Sequence, residues 1–186
     1  MSRLPLQTPD RAPEASRALV ERVLANNGFL PNLVAVLANA PTALEAYLTL
    51  GEINGRSSLT LAEREAVQIA AAGLHGCEFC VSGHTALAVK KAGLPPATVH
   101  ALQHRARTGE ARLDALVDFT RALIATRGNV GDGELEAFYA AGFTPAQALE
   151  VVLGVSLATL CNFANNLAHN EINRELQAFR PGVFQP

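Results

Sequence analysis

The segment HGCEFCVSGH, residues 75–84, places two cysteines and two histidines within ten positions. Cys77, Cys80 and His84 stand at i, i+3 and i+7, so on a helix that begins near Cys77 all three lie along one face. A cysteine in a first helical turn meets unpaired backbone N–H groups and the positive end of the helix dipole, both of which favour thiolate over thiol. His84, one turn beyond Cys80, is within reach to take or relay its proton, which is the arrangement of a nucleophile with its base. Glu65 belongs with them. Leu61, Ile69 and Ala72 put it on an apolar stripe of the preceding helix, while Glu63, Arg64 and Gln68 can turn to water. A carboxylate on such a stripe is partly buried and needs a partner, and an imidazole would serve, giving Glu65, His84 and Cys80 the order of a proton relay.

These residues need helices to hold them. From Glu14 onward the apolar pattern is helical throughout, dominated by Ala and Leu, and no stretch alternates as a strand would. The spacing predicts helices over 14–26, 31–38, 41–54, 60–73, 78–92, 95–107, 111–127, 132–141 and 144–168, separated by Gly, Pro or Asn. Two starts are marked by capping boxes, Thr60 with Glu63 and Thr144 with Gln147, the second followed by Pro145 at the first helical position. The fold class is therefore all-α, a helical bundle. Residues 1–15, with Pro5, Pro9 and Pro13, form an extended N-terminal arm that packs on the body or a neighbouring subunit, and 16–186 form one helical domain. The run PAQALEVVLGVSLATLCNF is apolar on nearly all sides and has to be buried inside the fold or between subunits.

Bulk properties narrow the partners. A formal charge of −2, with 15 basic against 17 acidic residues, gives no field for nucleic acid or an anionic membrane. The N-terminus lacks a signal-peptide core, and the apolar stretch from Leu149 to Phe163 is short for a membrane span, so a cytoplasmic location is expected. In that compartment three cysteines make no disulfide framework, and a CxxC pair points to metal binding or catalysis.

Glu65, Cys77, Cys80 and His84 reproduce the E-x11-C-x2-C-x3-H pattern of the AhpD-like alkylhydroperoxidases in the carboxymuconolactone decarboxylase superfamily. The stretches GFLPNLVAVLANAPTALEAYLTL (28–50) and FYAAGFTPAQALEVVLGVSLATLCNFANNLAHNEI (138–172) also resemble segments of its peroxidase-related members. The resemblance implies an AhpD-like helical bundle assembled as a homotrimer or homohexamer. It implies that Cys80 attacks a hydroperoxide and becomes a sulfenic acid, that Cys77 resolves it to a disulfide, and that His84 and Glu65 move the proton. A dithiol reductant, such as a lipoylated protein, then restores the pair, and no metal, haem or flavin cofactor is required. One departure stands out: those peroxidases carry a histidine directly before the second cysteine, where this chain has Phe79.

Other readings stay open on the residues alone. Cys77 and Cys80 supply half a zinc shell, with His84 as a third ligand and His75 or Glu65 as a fourth, which would make a zinc-stabilised binding module. A decarboxylase-like enzyme acting on a small carboxylate would leave the cysteines incidental. His100 and His104, at i and i+4, have metal-ligand spacing, but Gln103, Arg105 and Arg107 around them indicate a solvated face. Cys161 reads as a small core residue, and Asn162, Asn165, Asn166 and Asn170 as amides that satisfy backbone or line a pocket. His75 either influences the dithiol or caps the preceding helix.

Overall fold

A computed structural model describes residues 2–186. Among them lie nine α-helices and one 3-10 helix, and no strand. The helices are α1 (Glu14–Asn27), α2 (Asn32–Leu37), α3 (Pro41–Gly55), α4 (Leu61–Leu74), α5 (Glu78–Lys90), α6 (Pro96–Gln103), α7 (Ala111–Ala125), α8 (Asp132–Ala140) and α9 (Pro145–Ala168). The 3-10 helix, Arg174–Phe179, packs back on α5.

Helix α4 is the centre of the bundle, packed against α5, α7 and α9. It begins where Thr60 accepts from the Glu63 N–H and the Glu63 carboxylate accepts from the Thr60 N–H. It ends in a Schellman arrangement. The Cys77 N–H reaches back to the Ala72 carbonyl at 2.9 Å, and Gly76 takes the left-handed φ of 67° that the reversal requires. That turn sends the chain directly into α5, so the dithiol sits where one helix hands over to the next.

Helix α9 starts with the second capping box, Thr144 with Gln147, and Pro145 as its first residue. At 24 residues it is long and apolar enough to cross a membrane by length and composition alone. Its inner face, Val151, Gly154, Leu157, Ala158, Cys161 and Asn165, is instead buried against the rest of the bundle, chiefly α4 and α3. The crossing with α4 is close because Gly154 has no side chain: a Cβ there would stand 3.1 Å from Val67 Cγ1. The Gln68 amide uses the same gap, donating to the Gly154 carbonyl at 2.9 Å.

Two apolar clusters flank this crossing. One gathers Ile69, Leu116, Phe138 and Val151 from α4, α7, α8 and α9; the other gathers Val20, Val34, Leu44, Leu157 and Cys161 around the two cysteines of α5. Each such fully buried Val, Leu, Ile or Phe stabilises by about 1.5–3 kcal/mol relative to exposure.

Two expectations are corrected, and one element is new. The helix predicted over 95–107 stops at Gln103, because Arg105 adopts a left-handed φ of 57° and Ala106 N–H closes back on the Ala101 carbonyl. The 3-10 helix had no predicted counterpart. Glu63 and Gln68 do not face water: both are buried, Glu63 against Arg112 of α7 at 2.8 Å and Gln68 against α9. In the N-terminal segment, Arg3 N–H donates to Ala168 at the end of α9 and Gln7 N–H to Ala35 of α2.

Candidate active site

Cys77 is the N-cap of α5, and its sulfur accepts the Cys80 N–H at 3.4 Å. Both cysteines are buried and both are free thiols. They share a proton. The hydrogen bond from Cys80 holds the Cys77 thiol below its ordinary pKa, helped by the Cys80 N–H, Asn165 and His84. The same hydrogen bond, together with burial, holds Cys80 well above it. The two shifts belong to the pair, with Cys77 the more readily ionised and Cys80 donating to it.

One turn further along α5, His84 Nδ1 lies 2.7 Å from Oε2 of Glu65, which α4 delivers from the opposite side. Glu65 is 6% exposed. A carboxylate only accepts, so this contact places a proton on Nδ1, and in the neutral ring Nε2 is then the acceptor. The structure thus brings together the paired residues read from the sequence: Cys77 with Cys80, and Glu65 with His84, on two adjacent helices.

A further side chain joins them from α9. Asn165, 3% exposed, directs its Nδ2 at Cys80 Sγ, 3.2 Å away. The sequence marked a group of asparagines there but singled out none, since 85 positions separate this amide from the sulfur it touches. Tyr47 of α3 is a second addition. Its phenol is raised by burial and by the nearby thiols and Glu65.

A cavity of about 670 Å³ opens beside the dithiol, with Cys77, Phe79, Asn165, Asn166, His169 and Arg180 in its wall. The remaining candidates lie outside its wall. Cys161 is buried in the same cluster, its thiol pushed up to about 12 by burial. His75 is the C-cap of α4, hydrogen-bonded to Asn162 at 2.9 Å and packed edge-on against Phe163. His100 and His104 stack on one another, with His104 Nδ1 on the His100 carbonyl. Among the described residues no three His, Cys, Asp or Glu side chains converge as a metal ion would need.

The carboxymuconolactone decarboxylase family model matches residues 41–122, the span that carries Glu65, Cys77, Cys80 and His84. The chain has the AhpD-like helical fold and carries a match to the carboxymuconolactone decarboxylase family over residues 41–122. No curated protein matches the sequence. Solved structures share the fold of this AhpD-like protein. An uncharacterized peroxidase-related protein from Ralstonia eutropha JMP134, described as an alkylhydroperoxidase AhpD core, is 23% identical with a TM-score of 0.85 over 95% of each chain. A second uncharacterized peroxidase-related protein, from Silicibacter sp. TM1040, is 20% identical with a TM-score of 0.81 over 96% of this chain and 94% of that one. The debrominase Bmp8, solved as a cysteine-to-alanine variant with 2,3,4-tribromopyrrole, is 17% identical with a TM-score of 0.74 over 95% and 94%.

Proposed function

We propose that the protein is a thiol-dependent peroxidase that cycles Cys77 and Cys80 between dithiol and disulfide. The observation that carries this reading is the pairing of buried Glu65 with half-buried His84, 2.7 Å apart, one turn from a CxxC pair that already shares a proton. A thiol raised by its hydrogen bond to Cys77 and by burial, as Cys80 is, needs a base before it can attack. His84, oriented by Glu65, is that base. The Cys80 thiolate attacks the terminal oxygen of a hydroperoxide, the O–O bond breaks, and Cys80 becomes a sulfenic acid while the alkoxide takes a proton relayed by His84. Cys77 then attacks the sulfenic sulfur, water leaves, and the disulfide forms. A dithiol reductant, such as a lipoyl group on a partner protein, returns both cysteines to thiols without a metal or prosthetic group.

Assembly as a homotrimer or homohexamer belongs to the same proposal. It is supported by the outer face of α9, where Leu149, Phe163 and Leu167 are each more than half exposed. A cytoplasmic setting suits a pair that must be re-reduced.

The alternatives are less well supported by the geometry. A zinc module needs donors that converge, and His84 is turned to Glu65 while His75 is turned to Asn162. A decarboxylase reaction leaves the shared thiol proton without a use. Stopped-flow reaction of the reduced protein with hydrogen peroxide and an organic hydroperoxide tests the proposal, with thiol loss and disulfide read by mass spectrometry. Two thiols lost rapidly per chain, with no disulfide in Cys80→Ser, is the expected result. Oxidation no faster than a free thiol would overturn it, and turnover of a bromopyrrole under the same conditions would move the chemistry to dehalogenation.

A further inference from the structure

The Asn165 carboxamide is held in one orientation by a chain of polar groups. Its Oδ1 accepts from Asn170 Nδ2 at 2.8 Å, and the Ser2 hydroxyl lies 3.1 Å from both Asn170 Oδ1 and the Ala168 carbonyl oxygen. The Ser2 oxygen in turn accepts the Leu4 N–H at 3.3 Å. A flip of Asn165 would set its NH2 against that of Asn170 and turn a carbonyl oxygen toward sulfur. Its N–H group therefore points at Cys80 whichever partner Cys80 has. A second fact concerns access: Cys77 forms part of the cavity wall, and Cys80 does not. Both cysteines are almost fully covered, 2% and 4% exposed, and the cavity offers a reductant its approach through the wall at Cys77.

Resting on the dithiol reading above, we propose that disulfide reduction proceeds by attack on Cys77 from the cavity, with Asn165 the hydrogen-bond donor that carries the charge of Cys80 as it leaves. The reductant's thiolate bonds to Cys77 Sγ, the Cys77–Cys80 bond breaks, and the electron pair departs on Cys80 Sγ. The second thiol of the reductant, deprotonated, then attacks its own sulfur in the mixed disulfide and releases Cys77 as a thiolate. Two electrons pass from the dithiol to the protein, and the dithiol becomes a cyclic disulfide. A leaving thiolate departs faster when its charge is stabilised. At the moment of departure Cys77 carries the reductant, so it no longer raises Cys80 through their shared proton; burial remains, and the Asn165 N–H offsets it. Asn170 and Ser2 act through Asn165 and are positioning residues. This amide also supplies a polar contact to the attacking sulfur in a chain whose residue before that cysteine is Phe79.

The test begins with the disulfide form of the wild type, Asn165→Leu and Asn170→Ala, prepared with excess hydrogen peroxide and reduced by dithiothreitol in a stopped-flow instrument. Asn165→Leu should slow reduction roughly ten- to hundredfold, the worth of a hydrogen bond to a charged group, and Asn170→Ala should slow it less. In a Cys77→Ser background, the pH midpoint of Cys80 alkylation should rise when Asn165→Leu is added, a change that loosened packing alone would not produce. Reduction by 2-mercaptoethanol, quenched with N-ethylmaleimide, should leave the mercaptoethanol on Cys77 and the maleimide on Cys80. Unchanged rates and midpoint, or the reverse pattern of adducts, would overturn the inference while leaving the dithiol reading intact. Failure of the wild type to form a Cys77–Cys80 disulfide would overturn both. Should Asn165→Leu not fold, Asn170→Ala, at a partly exposed position, still decides the question by its rate and its alkylation midpoint.

Discussion

Two regions of the chain look alike in sequence and differ in what surrounds them. On α5, Cys77, Cys80 and His84 follow helical spacing; on α6, His100 and His104 do the same at i and i+4. The α5 face receives a carboxylate from α4 and a carboxamide from α9, both almost fully buried. Among the described residues, the α6 pair receives only its own backbone carbonyl and its own stacked rings. Spacing along one helix thus creates a candidate, and polar groups delivered by other helices turn it into a site with a fixed proton and a stabilised charge.

The sharpest way to break this comparison is to remove the groups themselves. Cys80→Ser and Cys77→Ser should each reduce peroxide turnover to background, while His100→Ala and His104→Ala should leave it unchanged, as measured by peroxide consumption with a dithiol donor. Activity that survives Cys80→Ser would place the chemistry outside the dithiol. Next in size is Glu65→Gln, which keeps the shape of the pair but removes the carboxylate behind His84. Losing one positioned proton-transfer group costs about 10²–10⁴ in rate, and a parallel pH–rate profile would distinguish this from partial unfolding.

A third variant acts on delivery rather than on chemistry. Gly154→Ala would place a Cβ 3.1 Å from Val67 Cγ1 at the crossing of α4 and α9, the helices that carry Glu65 and Asn165. Overpacking of this kind costs about 1–3 kcal/mol, to be read as a lower midpoint in urea. A stability unchanged within error would show that Val67 gives way freely.

The smallest effect concerns Glu63. Against the burial that opposes ionisation, hydrogen bonds from Thr60 and the Arg112 guanidinium hold its carboxyl below the ordinary value. A carboxyl depressed in the folded state contributes its stability fully above its unfolded pKa, about 4.3, and loses it as pH falls through the lower folded value. Glu63→Gln should therefore cost up to about 1–2 kcal/mol near neutrality, through the weakened cap and ion pair, and the gap from wild type should close below about pH 4. A constant gap across that range in urea titrations would remove the charge from the explanation.

What the sequence disclosed was local. Capping boxes at Thr60 and Thr144, and Gly76 before Cys77, are short-range signals, and α4, α5 and α9 begin within a residue of where they indicate. Glu65 was found because its apolar neighbours at −4, +4 and +7 recur within one helix. Asn165 was not, because its contact with Cys80 depends on how α9 crosses the bundle, and four asparagines near one helix end offered no ground to choose. Glu63 and Gln68 misled for the same reason: polar residues on a helix are read as solvated until a second helix, here α7 or α9, proves to cover them. The helix predicted through Arg107 failed at Arg105, whose left-handed backbone carries no residue-type signal of the kind a glycine gives.

Cys161 has one practical consequence. Its thiol, held near 12 and packed beneath the dithiol, is silent toward alkylating reagents at neutral pH for as long as the bundle stays closed. The molecule thus contains its own integrity gauge: no more than two thiols per chain should react in the native protein, and a third should appear only when α9 comes away from its neighbours.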